Sequence, residues 1–386
     1  MVNKKLFSII LSLQLIFSIQ LNNIKNLEKN SFLLKENILP YKTYNLLTST
    51  IPFWKNNIMY NESIMFIGKD STAPLLYKLT EIISITSYDG TITYIEGTDY
   101  LVKNGKIYLT SGTRIPFFTI EEYYPNVQDS TTFSCTNPSH PFIKFSEGDY
   151  FQSRQVLVTY YHNDHDGNDI QESYYNKFDK FLKKLKNGQN PTLLFYGDSI
   201  TVGANSSGFL KNKPYTQSWP EMVHSYLENK FETKINYINT AVGGTNSFWA
   251  VENFQERVIN YQPDFLVLAF GMNDIVGKDI YKDNIYKMIQ AIKAVNNDIK
   301  ILLVSTTLPN KEVLGFYNFQ NTYEMALKEL SNNFSYIGLA KMTSMHNFLL
   351  EKKRFYDMTG NNVNHPNDFL TRIYCHTVLK AILEDY

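Results

Sequence analysis

Between Ile58 and about Tyr161, apolar and polar residues alternate in short runs separated by turn dipeptides. Ile85-Thr-Ser-Tyr88 and Thr91-Ile-Thr-Tyr-Ile95 flank Asp89-Gly90, and Tyr100-Leu-Val102 and Lys106-Ile-Tyr-Leu109 flank Asn104-Gly105. Period-two alternation puts successive side chains on opposite faces of a strand, and Asp-Gly or Asn-Gly supplies the left-handed backbone of a tight hairpin. Val156-Leu-Val-Thr-Tyr-Tyr161 reads as the closing strand. Several short strands punctuated by turns predict a β-sandwich or jelly roll over residues 56–165. The polar run His162-Asn-Asp-His-Asp-Gly-Asn-Asp169 marks its end.

The pattern then changes. Short, mostly apolar runs that read as strands follow at Thr192–Tyr196, Ile235–Ile238, Phe265–Phe270, Ile301–Val304 and Tyr336–Leu339. Stretches of helical period lie before or between them: Tyr174–Leu185, Trp219–Lys230, Val251–Asn260, Asp283–Val295 and Phe319–Leu330. Phe369–Leu383 reads as a closing helix. Strands that alternate with helices require right-handed crossovers, so residues 166–386 are expected to form a parallel sheet covered on both faces, an α/β domain. A chain of 386 residues is also longer than a single core usually absorbs, which agrees with two domains.

Composition narrows the function. Lys plus Arg and Asp plus Glu are equal at 37 each, without a block of like charge, which argues against nucleic acid as the main partner. At the N-terminus, Lys4 and Lys5 precede a mostly apolar run from Leu6 to Ile19. This run is short for a membrane span and reads as a signal peptide over residues 1–18, with an uncleaved anchor as the alternative. Residues 19–55 form a polar N-terminal segment, and the mature protein is expected to be secreted, with no membrane partner after cleavage. Cys135 and Cys375 are the two cysteines; in an oxidising compartment a disulfide between them stays open. Sequons begin at Asn61, Asn205 and Asn333. His162 and His165 are expected to belong to a solvated linker rather than a metal site, and no cofactor or metal is expected.

Four polar clusters carry the candidate chemistry. Gly197-Asp-Ser-Ile200, Asn239-Thr-Ala-Val-Gly-Gly244 and Gly271-Met-Asn-Asp274 each follow directly on an expected strand, and Asn362-Val-Asn-His-Pro-Asn-Asp368 precedes the last helix. Each alone is an ordinary turn, cap or loop. Reactive groups of an open α/β sheet gather at the carboxyl ends of its strands, so their order and placement point to one site. Together they resemble the four blocks of the SGNH (GDSL-type) hydrolase superfamily from about Thr192 to the C-terminus, with Ile200 where Leu is commoner. The resemblance implies a flavodoxin-like three-layer sheet and metal-free ester hydrolysis. The β-region before it is similar to the arrangement in two-domain carbohydrate esterases.

The resemblance also implies roles. Ser199 is the expected nucleophile and His365 its general base, because a serine hydroxyl needs a base to react. The oxyanion of acyl transfer calls for preorganised donors, which the resemblance assigns to the backbone N–H groups of Ser199 and Gly244 and the side-chain amide of Asn273. Asp274 is expected to cap or brace its loop. One position departs from the family pattern: Asn362 stands where an Asp usually lies three residues before the histidine. An amide accepts a hydrogen bond from imidazole but does not balance the charge of imidazolium. The possible orienters of His365 are Asn362 or a backbone carbonyl, Asp357, and Asp368; a Ser–His dyad is the favoured reading. The expected function is removal of acetyl or other short acyl groups from a polysaccharide. A general esterase or lipase, and a catalytically inactive glycan-binding protein, are the alternatives, and the oligomeric state is left open.

Overall fold

The computed structural model describes residues 44–386. The signal-peptide reading and most of the N-terminal segment fall outside these residues. In the N-terminal half the strands are β1 (Ile58–Met65), β2 (Thr72–Ala73), β3 (Glu81–Ser87), β4 (Thr93–Tyr94), β5 (Tyr100–Lys103), β6 (Lys106–Leu109), β7 (Thr132–Ser134), β8 (Phe142–Lys144) and β9 (Gln155–Tyr161). They make a four-stranded sheet in the order β1-β9-β3-β4, a three-stranded sheet β2-β6-β5 and a two-stranded sheet β7-β8. Both expected hairpins form. At the second, Asn104 and Gly105 have φ of 52° and 71°, the paired left-handed residues that a two-residue turn requires. The last strand, β9, lies between β1 and β3 rather than at a sheet edge.

The second half supplies β10 (Thr192–Gly197), β11 (Asn236–Asn239), β12 (Phe265–Ala269), β13 (Lys300–Val304) and β14 (Ile337–Ala340), all parallel, in the order β11-β10-β12-β13-β14. Helices α1 (Asp179–Lys186), α2 (Ser199–Val202), α3 (Trp219–Phe231), α4 (Ser247–Glu252), α5 (Lys278–Val295), α6 (Gln320–Asn333), α7 (Met342–Lys352) and α8 (Asp368–Ile382) complete the α/β region. The sheet is apolar on both faces. Leu193, Phe195, Phe265, Val267, Leu302 and Val304 join one buried cluster. Their alternate neighbours Leu194, Tyr196, Leu266, Leu268, Ile301 and Leu303 join another. That double cover explains why the inner strands read as apolar runs, whereas the edge strand β11 keeps Asn236 exposed.

One expectation needs correction, and one question left open is answered. The helix expected over 251–260 is broken into short pieces: α4 stops at Glu252, where Asn253 turns its side chain back onto the Trp249 carbonyl at 2.9 Å. Cys135 and Cys375 are both free. Cys375 is buried in α8 within the first cluster, whereas Cys135 bridges to Val313 and packs on a separate cluster. The two histidines of the 162–169 segment have separate neighbours: His162 lies against the Tyr77 ring at 4.4 Å, and His165 Nδ1 is 3.2 Å from the Trp54 carbonyl.

The described residues pack as one compact unit. The reason is visible in the first cluster, which takes in Met59, Ile64, Val156 and Tyr160 from the four-stranded sheet together with one face of the parallel sheet. Helix α8 runs through this shared core, and every residue of it except Lys380 is buried. Buried polar groups lock the same contact. Lys353, just after α7, pairs with Glu62 on β1, and both side chains are fully buried. Glu62 also accepts from Leu76 N (2.8 Å) and Tyr160 Oη (2.6 Å), and Lys353 donates to the Ser63 carbonyl at 3.0 Å. A pair satisfied on all sides tolerates burial; one half left alone does not. Lys353→Met is therefore expected to lower the free energy of unfolding by about 3–5 kcal/mol, measured by urea denaturation.

Candidate active site

Ser199 is the first residue of α2, directly after β10. The turn is tight: a Cβ on Gly197 would lie 2.2 Å from Thr201 Oγ1 and 2.5 Å from the Ala269 carbonyl, so only glycine fits. Asp198 caps the helix, accepting from Ile200 N at 3.0 Å. Its carboxyl is buried, and desolvation pushes its pKa up to about 7, against the opposing influence of His365.

His365 reaches the serine from the loop before α8. Its Nε2 lies 2.9 Å from Ser199 Oγ. The loop is organised by Asn361, whose Oδ1 accepts from the backbone N–H groups of Val363, Asn364 and His365, each at 3.0 Å. The His365 carbonyl in turn accepts from Gly360 N (2.9 Å) and Thr359 Oγ1 (3.1 Å).

Behind the imidazole, Nδ1 faces Asn205 Oδ1 at 2.7 Å and Glu147 Oε2 at 3.3 Å. Asn205 Nδ2 donates to the Gly148 carbonyl at 3.0 Å, which fixes the amide with its oxygen toward the ring. Two acceptors at Nδ1 assign the proton to that nitrogen and leave Nε2 free to accept from the serine hydroxyl. The backbone carbonyl of Asn205 accepts from Gln152 Nε2. Gly360 permits the approach, since a Cβ there would lie 2.6 Å from Asn205 Cβ.

None of the three side chains expected to orient His365 does so. Asn362, buried with φ of 67°, accepts from Tyr123 Oη (2.9 Å) and donates to the Lys144 carbonyl (2.9 Å), tying the loop to the β-region. Asp357 grips Arg354 through both oxygens (2.8 and 2.9 Å) and accepts from Met65 N. Asp368 accepts from Ser207 N and Oγ at 2.8 and 2.6 Å. Each is engaged by these other partners, and Nδ1 meets none of them. Sequence reasoning passed over Asn205, Glu147 and Asn361. Asn205 was noted for its sequon, yet it is buried beneath His365, so that sequon is inaccessible in the folded protein.

Of the loops that carry the other expected oxyanion donors, the 239–244 loop is placed beside the serine. A Cβ on Gly243 would touch Ser199 Cβ at 3.6 Å, so the 239–244 loop passes against the nucleophile position. Gly244 has φ of 76° with open space beside it, leaving room for a ligand at its backbone. Asn273 Nδ2 donates one hydrogen to the Thr245 carbonyl at 2.9 Å, which orients the amide and leaves a second hydrogen for a ligand. Asp274 braces this region by accepting from Ser247 N and Oγ. The arrangement can deprotonate a serine hydroxyl and hold an anion beside it.

Residues 195–369 match the GDSL-like Lipase/Acylhydrolase family. The match lies within the α/β part of the chain and identifies a GDSL-like lipase/acylhydrolase domain there; the protein is a carboxylic ester hydrolase. No curated protein matches the chain. Among solved structures, the GDSL-like chain is similar to Axe2, an acetyl xylan esterase from Geobacillus stearothermophilus (19% identity, 51% of this chain and 96% of that one, TM-score 0.43). It is also similar to CEX, a two-domain esterase active on acetylated mannans (18%, 54% of each chain, TM-score 0.45). A third is LAE5, an alpha/beta hydrolase from the metagenome of Lake Arreo, Spain (15%, 49% and 93%, TM-score 0.41).

The buried Asp198 carries a pH signature. Its folded pKa exceeds the ordinary carboxylate value, so between about pH 4 and pH 7 the folded state holds a proton that the unfolded state has lost. Its contribution to stability is present below pH 4 and is lost as the pH rises through 7. Asp198→Asn keeps a capping oxygen and removes that loss. Thermal melts at pH 4.5 and 7.5 are expected to show the variant gaining on the wild type at the higher pH, by a few kcal/mol at most.

Proposed function

We propose that the protein is a secreted serine esterase that removes acetyl or other short acyl groups from carbohydrate. The observation that carries the mechanism is the 2.9 Å contact between Ser199 Oγ and His365 Nε2. His365 takes the hydroxyl proton as Ser199 Oγ attacks the ester carbonyl, then returns it to the departing alkoxide. Ser199 N, Gly244 N and the Asn273 amide receive the oxyanion. Water repeats the sequence on the acyl-enzyme. A purely binding protein has no need of a histidine held in the tautomer that accepts from serine, which favours catalysis over that alternative.

The carbohydrate substrate is supported by a cavity of about 560 Å³ between the β-region and the 212–213 loop, lined in part by Tyr88, Tyr94, Asp89, Arg114, Asp149 and Asn212. Rings interleaved with hydrogen-bonding groups suit hydroxylated sugar rings better than a long acyl chain. Asp149 belongs to the same loop as Glu147, so this cavity adjoins the support of the base. Secretion is supported by the basic and then apolar start over residues 4–19.

Acetate release from a panel of acetylated polysaccharides, beside hydrolysis of p-nitrophenyl esters of increasing acyl length, tests the proposal. Acetyl esters are expected to be the best substrates, and a rise in kcat/KM with chain length would point to a lipase instead. Ser199→Ala and His365→Ala are each expected to abolish hydrolysis, and Asn273→Ala to lower kcat by about 10²–10³-fold. Activity that survives Ser199→Ala would overturn the mechanism.

A further inference from the structure

The role that one carboxylate plays behind a catalytic histidine has two parts: it fixes the tautomer, and it balances the positive charge formed when the ring is protonated. We propose that this chain divides the two between Asn205, which fixes the tautomer, and Glu147, a positioning residue contributed by the β-region that supplies the charge. The inference rests on the Ser199–His365 mechanism proposed above.

Three observations carry it. Asn205 Oδ1 takes the shorter contact with Nδ1, 2.7 Å, but is neutral; Glu147 Oε2 stands at 3.3 Å and is an ion-pair partner of the ring once it is protonated. Glu147 is also aimed. Asn361 Nδ2 donates to its Oε1 at 3.0 Å, and Asn361 is the residue that shapes the histidine loop. Finally, against the opposing desolvation, the hydrogen bond and charge of His365 and the hydrogen bond from Asn361 hold the Glu147 carboxyl below the usual range, so it is charged at neutral pH. Both supports lead back to one short segment: Gly148 and Gln152 hold Asn205, and Glu147 itself meets the ring.

In the acylation step the proton on Ser199 Oγ passes to His365 Nε2 while the Oγ–carbon bond forms. The ring then carries one positive charge, with Nδ1–H still donating. Glu147 accepts no proton; its charge lowers the energy of the imidazolium. On collapse, Nε2 returns the proton to the leaving alkoxide as the carbon–oxygen bond breaks, and the ring is neutral again. Asp198, next to the nucleophile, also interacts with His365, and its own burial disfavours its charged form below about pH 7.

The test is the pH profile of kcat/KM for p-nitrophenyl acetate, measured on the full chain at low salt between pH 5 and 8. Glu147→Gln keeps an acceptor of the same shape without charge. Its acid limb is expected to move down by about 0.5–1 pH unit, a shift limited by the exposure of Glu147, with kcat lowered about tenfold and KM unchanged. Glu147→Asp is expected to restore the wild-type limb. Asn205→Ala is expected to lose more kcat while its acid limb stays with the wild type. A Glu147→Gln limb that superimposes on the wild type, with kcat within twofold, would overturn the inference and leave the esterase mechanism standing. Loss of that mechanism is read separately, from activity in Ser199→Ala.

Discussion

His365 touches Ser199 through one ring nitrogen, and the usefulness of that contact depends on the hydrogen bond at the other. Without an acceptor at Nδ1 the proton is free to sit on either nitrogen, and a ring protonated at Nε2 cannot accept from a hydroxyl. Here the acceptors are Asn205 and Glu147, and neither is close to His365 in the chain. Asn205 follows the nucleophile by six residues, yet its carbonyl and amide are both held by the β-region segment containing Gly148 and Gln152. Much of what holds the His365 ring therefore comes from a turn segment outside the family-matching part of the chain.

The shared core is the mechanical basis of that dependence. Apolar residues of β1 and β9 pack with one face of the parallel sheet and with α8, so the β-region has little freedom to shift against the α/β region. Polar locks define the register of this packing. The Glu62–Lys353 pair ties β1 to the end of α7, and Asp357 joins Arg354 to the backbone of Met65. Gln155 on β9 donates to the Thr359 carbonyl, and Asn362 to the Lys144 carbonyl. On the α/β side these contacts all fall within residues 353–362, just before His365 in sequence, so they hold the entry to the loop that presents it.

Seen this way, Asn362 is not a weakened copy of a catalytic aspartate. With φ of 67° and both ends of its amide engaged, it is a buried clip between the histidine loop and β8. A carboxylate there would lose the donor that meets the Lys144 carbonyl and leave that group unpaired in the interior, at a cost of about 1–3 kcal/mol. The charge that the family pattern places at this position is found instead on Glu147, on the far side of the loop.

The sequence by itself determined the parallel strands, because residues buried on both faces must be apolar without interruption. The placement of three polar clusters after strand ends was legible too, but the roles expected of Ser199, Gly244 and Asn273 came from the family resemblance those clusters carry together. The hairpins were legible from Asp89-Gly90 and Asn104-Gly105, where backbone sterics act locally. Helix α7 was not, since Met342-Thr-Ser-Met-His346 mixes polar and apolar residues that are all buried apart from Ser344. The partners of His365 were beyond local reading as well. Glu147 sits in an ordinary Ser-Glu-Gly turn 218 residues from the histidine it meets. Only the tertiary structure decided that contact, because it depends on how the β-region packs across α8 rather than on any local pattern.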